Sequence, residues 1–176
     1  MLLKFFSIKA ILVSNNTCGD IMALEEEVVN KLLEKGYTIS FAESCTGGLC
    51  CGTLVNVTNA SKVLNVSFVT YANEAKIEFL GVSADTILSN GVVSEEVAYE
   101  MALGVSKTAK SNVGVGITGV AGPGGGTEKK PVGMVCFGFC INGEVKTYTK
   151  QFSEIGRNQV RKSSVEFVLS KLLELI

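Results

Sequence analysis

The chain has 176 residues (18.6 kDa), 47% of them hydrophobic and 19% charged, with a net charge of −1 and a pI of about 5.6. That size and apolar content suit one globular domain with a real core, and the near-neutral charge excludes a basic nucleic-acid footprint or a polybasic membrane patch. No run approaches the ~18 apolar residues of a spanning helix, and the chain contains no histidine, so neither a membrane span nor a Ser-His-acid triad is expected.

Residues 1–21 are rich in Leu, Ile and Phe, but Lys4 and Lys9 interrupt the apolar run and no small-x-small cleavage site follows. They are read as a poorly ordered extension, with Met22 as an alternative start, and residues 22–176 as the domain. Asp20 can cap a helix from about Ile21 to Lys35, with Glu25, Glu26 and Glu27 at its positive end. Leu24, Val28 and Leu32, backed by Val29 and Leu33, form its apolar stripe, and Gly36 stops it. Tyr37 to Ala42 reads as a strand, Thr46 to Val57 as a helix, Ser67 to Tyr71 as a short strand, and Asn73 as the cap of a helix to Leu80. Ser94 caps a long helix whose Val97, Ala98, Met101, Ala102 and Val105 recur at helical spacing.

Val113 to Thr118 is a strand, followed by a Gly/Pro loop from Gly119 to Pro131. Asn142-Gly143, between strands Val132 to Ile141 and Val145 to Phe152, is a hairpin turn. A last helix follows Gly156, with Val165, Val168, Leu169, Leu172 and Leu173 facing inward. Alternating strands and helices predict an α/β fold: a three-layer α/β/α domain whose mixed sheet includes an antiparallel hairpin.

The six cysteines have neither disulfide-framework nor zinc spacing, and read as reduced thiols of a cytoplasmic protein with no metal site. Gly114-x-Gly116-x-x-Gly119 matches a dinucleotide fingerprint, but its glycines lie inside a strand and Pro123 follows where a helix should start, which argues against that site.

The chemistry concentrates at Ala42-Glu43-Ser44-Cys45-Thr46-Gly47-Gly48, a strand-to-helix turn where free N–H groups can meet an anion. If Ser44 is a nucleophile, its base must be a lysine, a tyrosine or a carboxylate. Tyr71 and Lys76 can reach the same end of the sheet. An ordinary lysine, with pKa about 10.4, is protonated at pH 7; bringing it to about 7.5 takes roughly 4 kcal/mol of desolvation or like-charge repulsion. Glu43 is read as orienting the turn, and the side chain of the rival nucleophile Cys45 as pointing away from Ser44. Thr118 to Gly126 forms a Gly-rich wall at strand ends, where α/β sheets bind ligands.

Together with the Ser44 turn, Val69-Thr70-Tyr71-Ala72-Asn73-Glu74-Ala75-Lys76, Gly91-Val92-Val93-Ser94, Thr118-Gly119-Val120-Ala121-Gly122-Pro123-Gly124-Gly125 and Lys130-Pro131-Val132-Gly133 occur in the order seen in the CinA C-terminal domain family, which residues 22–176 resemble. The resemblance implies a cofactor-free amidohydrolase converting nicotinamide mononucleotide to nicotinate mononucleotide and ammonia, in pyridine-nucleotide salvage. It makes Ser44 the nucleophile and Tyr71 and Lys76 the catalytic tyrosine and lysine. Thr46, Gly47 and Gly48 would hold the oxyanion, Thr118 and Gly119 would face substrate, and Arg157 or Arg161 would receive the phosphate. The segment Ser153-Glu154-Ile155-Gly156-Arg157 departs from the family's Ser-Gly-Asp-Arg. A homodimer or higher homo-oligomer is implied too. Two other readings stay open: a nucleotide-binding, stress- or competence-linked sensor without turnover, and a serine amidase or esterase with another substrate.

Overall fold

The computed structural model describes residues 22–153 and 156–176; the expected extension, Asp20 and Cys18 lie outside the described residues. Five strands form one sheet in the order β2-β1-β3-β4-β5: β1 (Ile39–Glu43), β2 (Phe68–Val69), β3 (Val113–Gly119), β4 (Met134–Ile141) and β5 (Glu144–Gln151). β2, β1 and β3 run parallel, and β4 and β5 complete the sheet antiparallel. Asn142 and Gly143, at φ of 50° and 93°, make the tight turn between them, in left-handed conformations that these two residue types adopt readily. The predicted mixed α/β architecture is therefore the observed one.

On one face lie α1 (Leu24–Lys35), α2 (Leu49–Val55) and α6 (Arg157–Leu175). They bury Val28, Leu32, Leu54, Val168 and Leu172 against Ile39, Phe41, Val115, Ile117, Phe137 and Phe139. On the other lie α3 (Asn73–Leu80), α4 (Ala84–Asn90) and α5 (Glu95–Ala109), whose Leu80, Val97, Met101 and Val105 pack on Ala42.

The strand glycines have a packing cause. A Cβ on Gly116 would stand 2.5 Å from Ala98 O, and one on Gly138, its partner across β3 and β4, 2.2 Å from the same oxygen. A Cβ on Gly114 would stand 2.3 Å from Ala102 O. The backbone of α5 lies directly on the sheet, and only glycine leaves room for it.

Several boundaries differ from expectation. α1 starts at Leu24 rather than Ile21, with Ala23 as an extended residue that makes no side-chain cap. β1 is shifted toward Glu43, and α2 starts three residues late because Gly47 and Gly48 hold φ of 61° and 91°. β2 is two residues long, an edge strand that ends as the chain turns into α3. Asn73 is the first helical residue of α3, not its cap. α4, capped by Ser83, and a 3-10 turn at Ala60–Lys62 are additional elements. α4 buries none of its residues and so has no apolar stripe to reveal it.

The glycine packing is checked by urea unfolding: Gly138→Ala should lose about 1–3 kcal/mol or fail to fold, since the atoms it meets are backbone. Gly124→Ala, with nothing within 4 Å of its added Cβ, should stay near the wild-type midpoint.

Candidate active site

The parallel strands deliver their residues in register at one end of the sheet. Glu43 pairs with Val69 on one side and Ile117 on the other, so one residue further Ser44 falls in a row with Thr70 and Thr118. Two backbone bonds extend the ladder there: Ser44 N–H donates to Ile117 O at 3.0 Å, and Thr70 N–H donates to Glu43 O at 2.9 Å. Because side chains alternate, Glu43 turns toward α2 while Ser44 turns toward the opposite face.

Glu43 is buried, and its carboxylate accepts three backbone N–H groups: Gly48 at 2.9 Å and Cys50 at 3.2 Å on one oxygen, Cys51 at 2.9 Å on the other. These amides open α2 and have no helical acceptor of their own, so the carboxylate caps the helix across the turn. Gly47 N–H donates to Ser44 O at 3.1 Å. The amides of Gly47 and Gly48, expected to face an oxyanion, are thus already committed within the turn. Among the described residues, those of Cys45 and Thr46 donate to no oxygen.

Arg161, on α6, fixes the same turn from outside: Nε donates to Cys45 O at 3.1 Å and Nη2 to Thr46 O at 2.8 Å. In a trans peptide the N–H points opposite to the C=O, so holding Cys45 O against α6 turns the Thr46 N–H away from it. The Cys45 thiol is buried, and that burial pushes its pKa up to about 12, with the neighbouring Glu43 adding to the rise. It is a poor nucleophile there.

Lys76 reaches the row from α3. It is fully buried, and its Nζ donates to Thr70 O at 2.8 Å, to Ser44 Oγ at 3.3 Å, and to Tyr71 O and Ala72 O at 3.4 Å. No carboxylate pairs with it; the ion pair found among the described residues is Lys171 with Glu174, on the surface of α6. Burial lowers the Lys76 pKa below 10.5, against the smaller opposing influence of Cys45 and Glu74.

The other expected residues lie differently. The Tyr71 side chain is 63% exposed, and its hydroxyl accepts from Arg157 Nη2 at 3.0 Å; only its carbonyl approaches Lys76. The hydroxyl therefore does not bridge Ser44 and Lys76 in this geometry. Arg157 Nη1 donates to Gly122 O at 2.9 Å, so the guanidinium spans from Tyr71 to the Gly-rich loop. Beside it is a hollow of about 240 Å³ lined by Ala121, Pro123, Val132, Gly156 and Arg157.

Thr118 is buried, and its hydroxyl donates to Val92 O at 2.8 Å, tying down the segment before α5 rather than offering itself to a ligand. Gly119 is half-buried beside β4, where a Cβ would stand 2.8 Å from Met134 O. A larger cleft of about 450 Å³ lies between α4, α5 and β5, lined by Glu95, Glu96 and Glu100, and contains none of these residues. Sequence reasoning missed the Thr70 carbonyl as the anchor of the lysine and Arg161 as the clamp of the turn. The Arg161 contact joins segments more than a hundred residues apart, and the Thr70 contact, six residues from Lys76, is made by a backbone carbonyl that every residue carries. Among the described residues no group of three His, Cys, Asp or Glu side chains could hold a metal ion, and no helix is long and apolar enough to cross a membrane.

The CinA C-terminal domain model matches residues 21–176. A protein of Clostridium acetobutylicum named for competence and damage induction is 47% identical over 156 residues, covering 87% of this chain and 38% of that protein. A CinA-like protein of Kosmotoga olearia is 49% identical over 148 residues, covering 84% of the chain and 35% of that protein. The chain thus spans well under half the length of these relatives. The crystal structure of a CinA superfamily protein from Escherichia coli superposes with a TM-score of 0.84 at 34% identity, covering 87% of this chain and 88% of that one. That of a competence/damage inducible protein from Agrobacterium tumefaciens gives 0.81 at 38% identity, covering 88% and 96%.

The buried, unpaired amine makes a stability prediction with a definite sign. Between the lowered folded pKa of Lys76 and the unfolded value, the unfolded chain binds one more proton, so wild-type stability climbs with pH. Lys76→Met removes that slope: urea midpoints from pH 6 to 10 should show the variant more stable at low pH and the gap closing as pH rises.

Proposed function

The chain belongs to the CinA C-terminal domain family, and we propose that it is a serine–lysine amidohydrolase that deamidates nicotinamide mononucleotide. The observation that carries this reading is the 3.3 Å approach of a buried, carboxylate-free lysine amine to Ser44 Oγ. A lysine acts as a base only when neutral, and burial moves Lys76 in that direction. With no histidine in the chain, it is the group within hydrogen-bond range of Ser44 that can take the proton.

In the reaction, Ser44 Oγ bonds to the carboxamide carbon as its proton passes to the Lys76 lone pair. The oxyanion is held by N–H groups of the turn, those of Cys45 and Thr46, which among the described residues bond no oxygen and lie against the Cys45 sulfur. A well-placed donor of this kind is worth about 3–4 kcal/mol. The C–N bond then breaks, and Lys76 returns the proton to the departing ammonia. Water adds to the acyl-serine with Lys76 again as base, releasing the carboxylate and restoring the serine hydroxyl. The choice of a nicotinamide nucleotide rests on the motifs shared with the family and on Arg157, which offers a cation at the mouth of the site for a phosphate.

Ammonia release from nicotinamide mononucleotide tests this. Ser44→Ala and Lys76→Ala should each lose at least about 100-fold in kcat, while Cys45→Ala keeps turnover. Full activity in Ser44→Ala overturns the mechanism, and nucleotide binding without ammonia release would assign a sensor instead.

The pH profile follows from the same amine. kcat/KM should rise with pH along a single ionisation whose midpoint lies below 10.5, because protonated Lys76 cannot accept the serine proton.

A further inference from the structure

The contact between Arg157 and Tyr71 is unused by this mechanism and has a particular chemical weakness. Among the described residues, Arg157 bonds two neutral acceptors, a phenol oxygen at 3.0 Å and a carbonyl at 2.9 Å. Hydrogen bonds from a guanidinium to an ionised oxygen are roughly twice as strong as those to neutral partners. Among the described residues, the lining of the adjoining hollow of about 240 Å³ holds no acidic group, and Arg157 is its charged side chain. An anionic group entering there therefore outcompetes both present acceptors.

What the anion displaces matters. The Tyr71 carbonyl lies 3.4 Å from Lys76 Nζ, so the backbone of Tyr71 is already at the reacting amine, while its hydroxyl is held out in solvent by Arg157. Among the described residues the Tyr71 hydroxyl has its hydrogen bond from Arg157 alone, so once the guanidinium is taken the side chain is released to rotate about a backbone already beside Lys76. The base of α6 stays fixed during this change, because Arg161, one turn further on, remains bonded to the Cys45 and Thr46 carbonyls.

We infer that Arg157 is a specificity-determining latch: it holds the Tyr71 hydroxyl away from Ser44 and Lys76 until an anionic group of the substrate claims the guanidinium. This rests on the amidohydrolase reading of Ser44 and Lys76. The phosphate of the substrate then acts on turnover as well as on binding, because the interaction that recognises it also releases a group for the reacting pair. A substrate lacking the anion, such as nicotinamide riboside, meets a latched tyrosine.

The test uses inorganic phosphate as the anion, with two readouts. In protein carrying ring-labelled tyrosine, the Tyr71 signal, identified by its loss in Tyr71→Phe, should move on addition of phosphate. In Arg157→Gln it should start displaced and ignore phosphate. In parallel, phosphate added in trans should raise the wild-type kcat for nicotinamide riboside by about tenfold or more, a modest share of what a positioned acid–base group contributes. The Arg157→Gln rate should not respond.

A Tyr71 signal that is silent to phosphate, or that answers equally in both proteins, overturns the latch. If the ring answers phosphate in wild type alone but nicotinamide mononucleotide yields no ammonia, the amidohydrolase reading falls, and of the latch only the displacement of Tyr71 by an anion at Arg157 stands. Ammonia release with a silent ring overturns the latch alone.

Discussion

The buried carboxylate of Glu43 is the interaction on which the candidate site is built. A carboxylate removed from water must regain hydrogen bonds, and three amides at the start of α2 supply them. To bring those amides onto one side chain, the chain must reverse within four residues, which is why Gly47 and Gly48 adopt left-handed conformations that other residues resist. The same reversal presents Ser44 on the opposite face at the end of a parallel strand. Glu43 thus acts as the template of the turn, and its oxygens are occupied by backbone.

Lys76 is the mirror of this arrangement. Its amine is compensated by carbonyls, chiefly that of Thr70, just as the Glu43 carboxylate is compensated by N–H groups. A buried acid and a buried amine at the same end of one sheet would ordinarily neutralise each other as an ion pair. Here the backbone satisfies each separately, and no carboxylate stabilises the charged amine. Desolvation then outweighs the smaller opposing influence of Cys45 and Glu74 on Lys76, and the amine is left facing a serine hydroxyl. A chain without histidine obtains a candidate base in this way.

The sheet supplies the precision. Ser44, Thr70 and Thr118 share a row because three parallel strands end in register, and the row is held by α5 packed almost in contact with the strand backbones. Glycines at 114, 116 and 138 make that approach possible. The first two also belong to the dinucleotide-like pattern, where they serve helix-on-sheet packing. On the outer side, α6 reaches back over the turn through Arg161 and over the mouth through Arg157, so one helix touches both the fixed and the exposed parts of the site.

The sequence by itself determined the layered α/β fold, the hairpin at Asn142-Gly143, the inward stripes of α1, α5 and α6, and the segments that carry Ser44 and Lys76. Those features follow from periodicity, turn chemistry and motif order, which are local. Short or exposed pieces escaped it: α4 has no buried face, and β2 is a two-residue edge strand. Only the tertiary structure decided that Lys76 meets Ser44 while the Tyr71 hydroxyl goes to Arg157, that Thr118 is spent on Val92, and that the Gly47 and Gly48 amides are spent within the turn. Each of those outcomes is a competition among several acceptors or donors within reach of one group. That competition is settled by the folded geometry, within the turn for the Gly47 and Gly48 amides and between segments far apart in the chain for the others, which residue spacing does not encode.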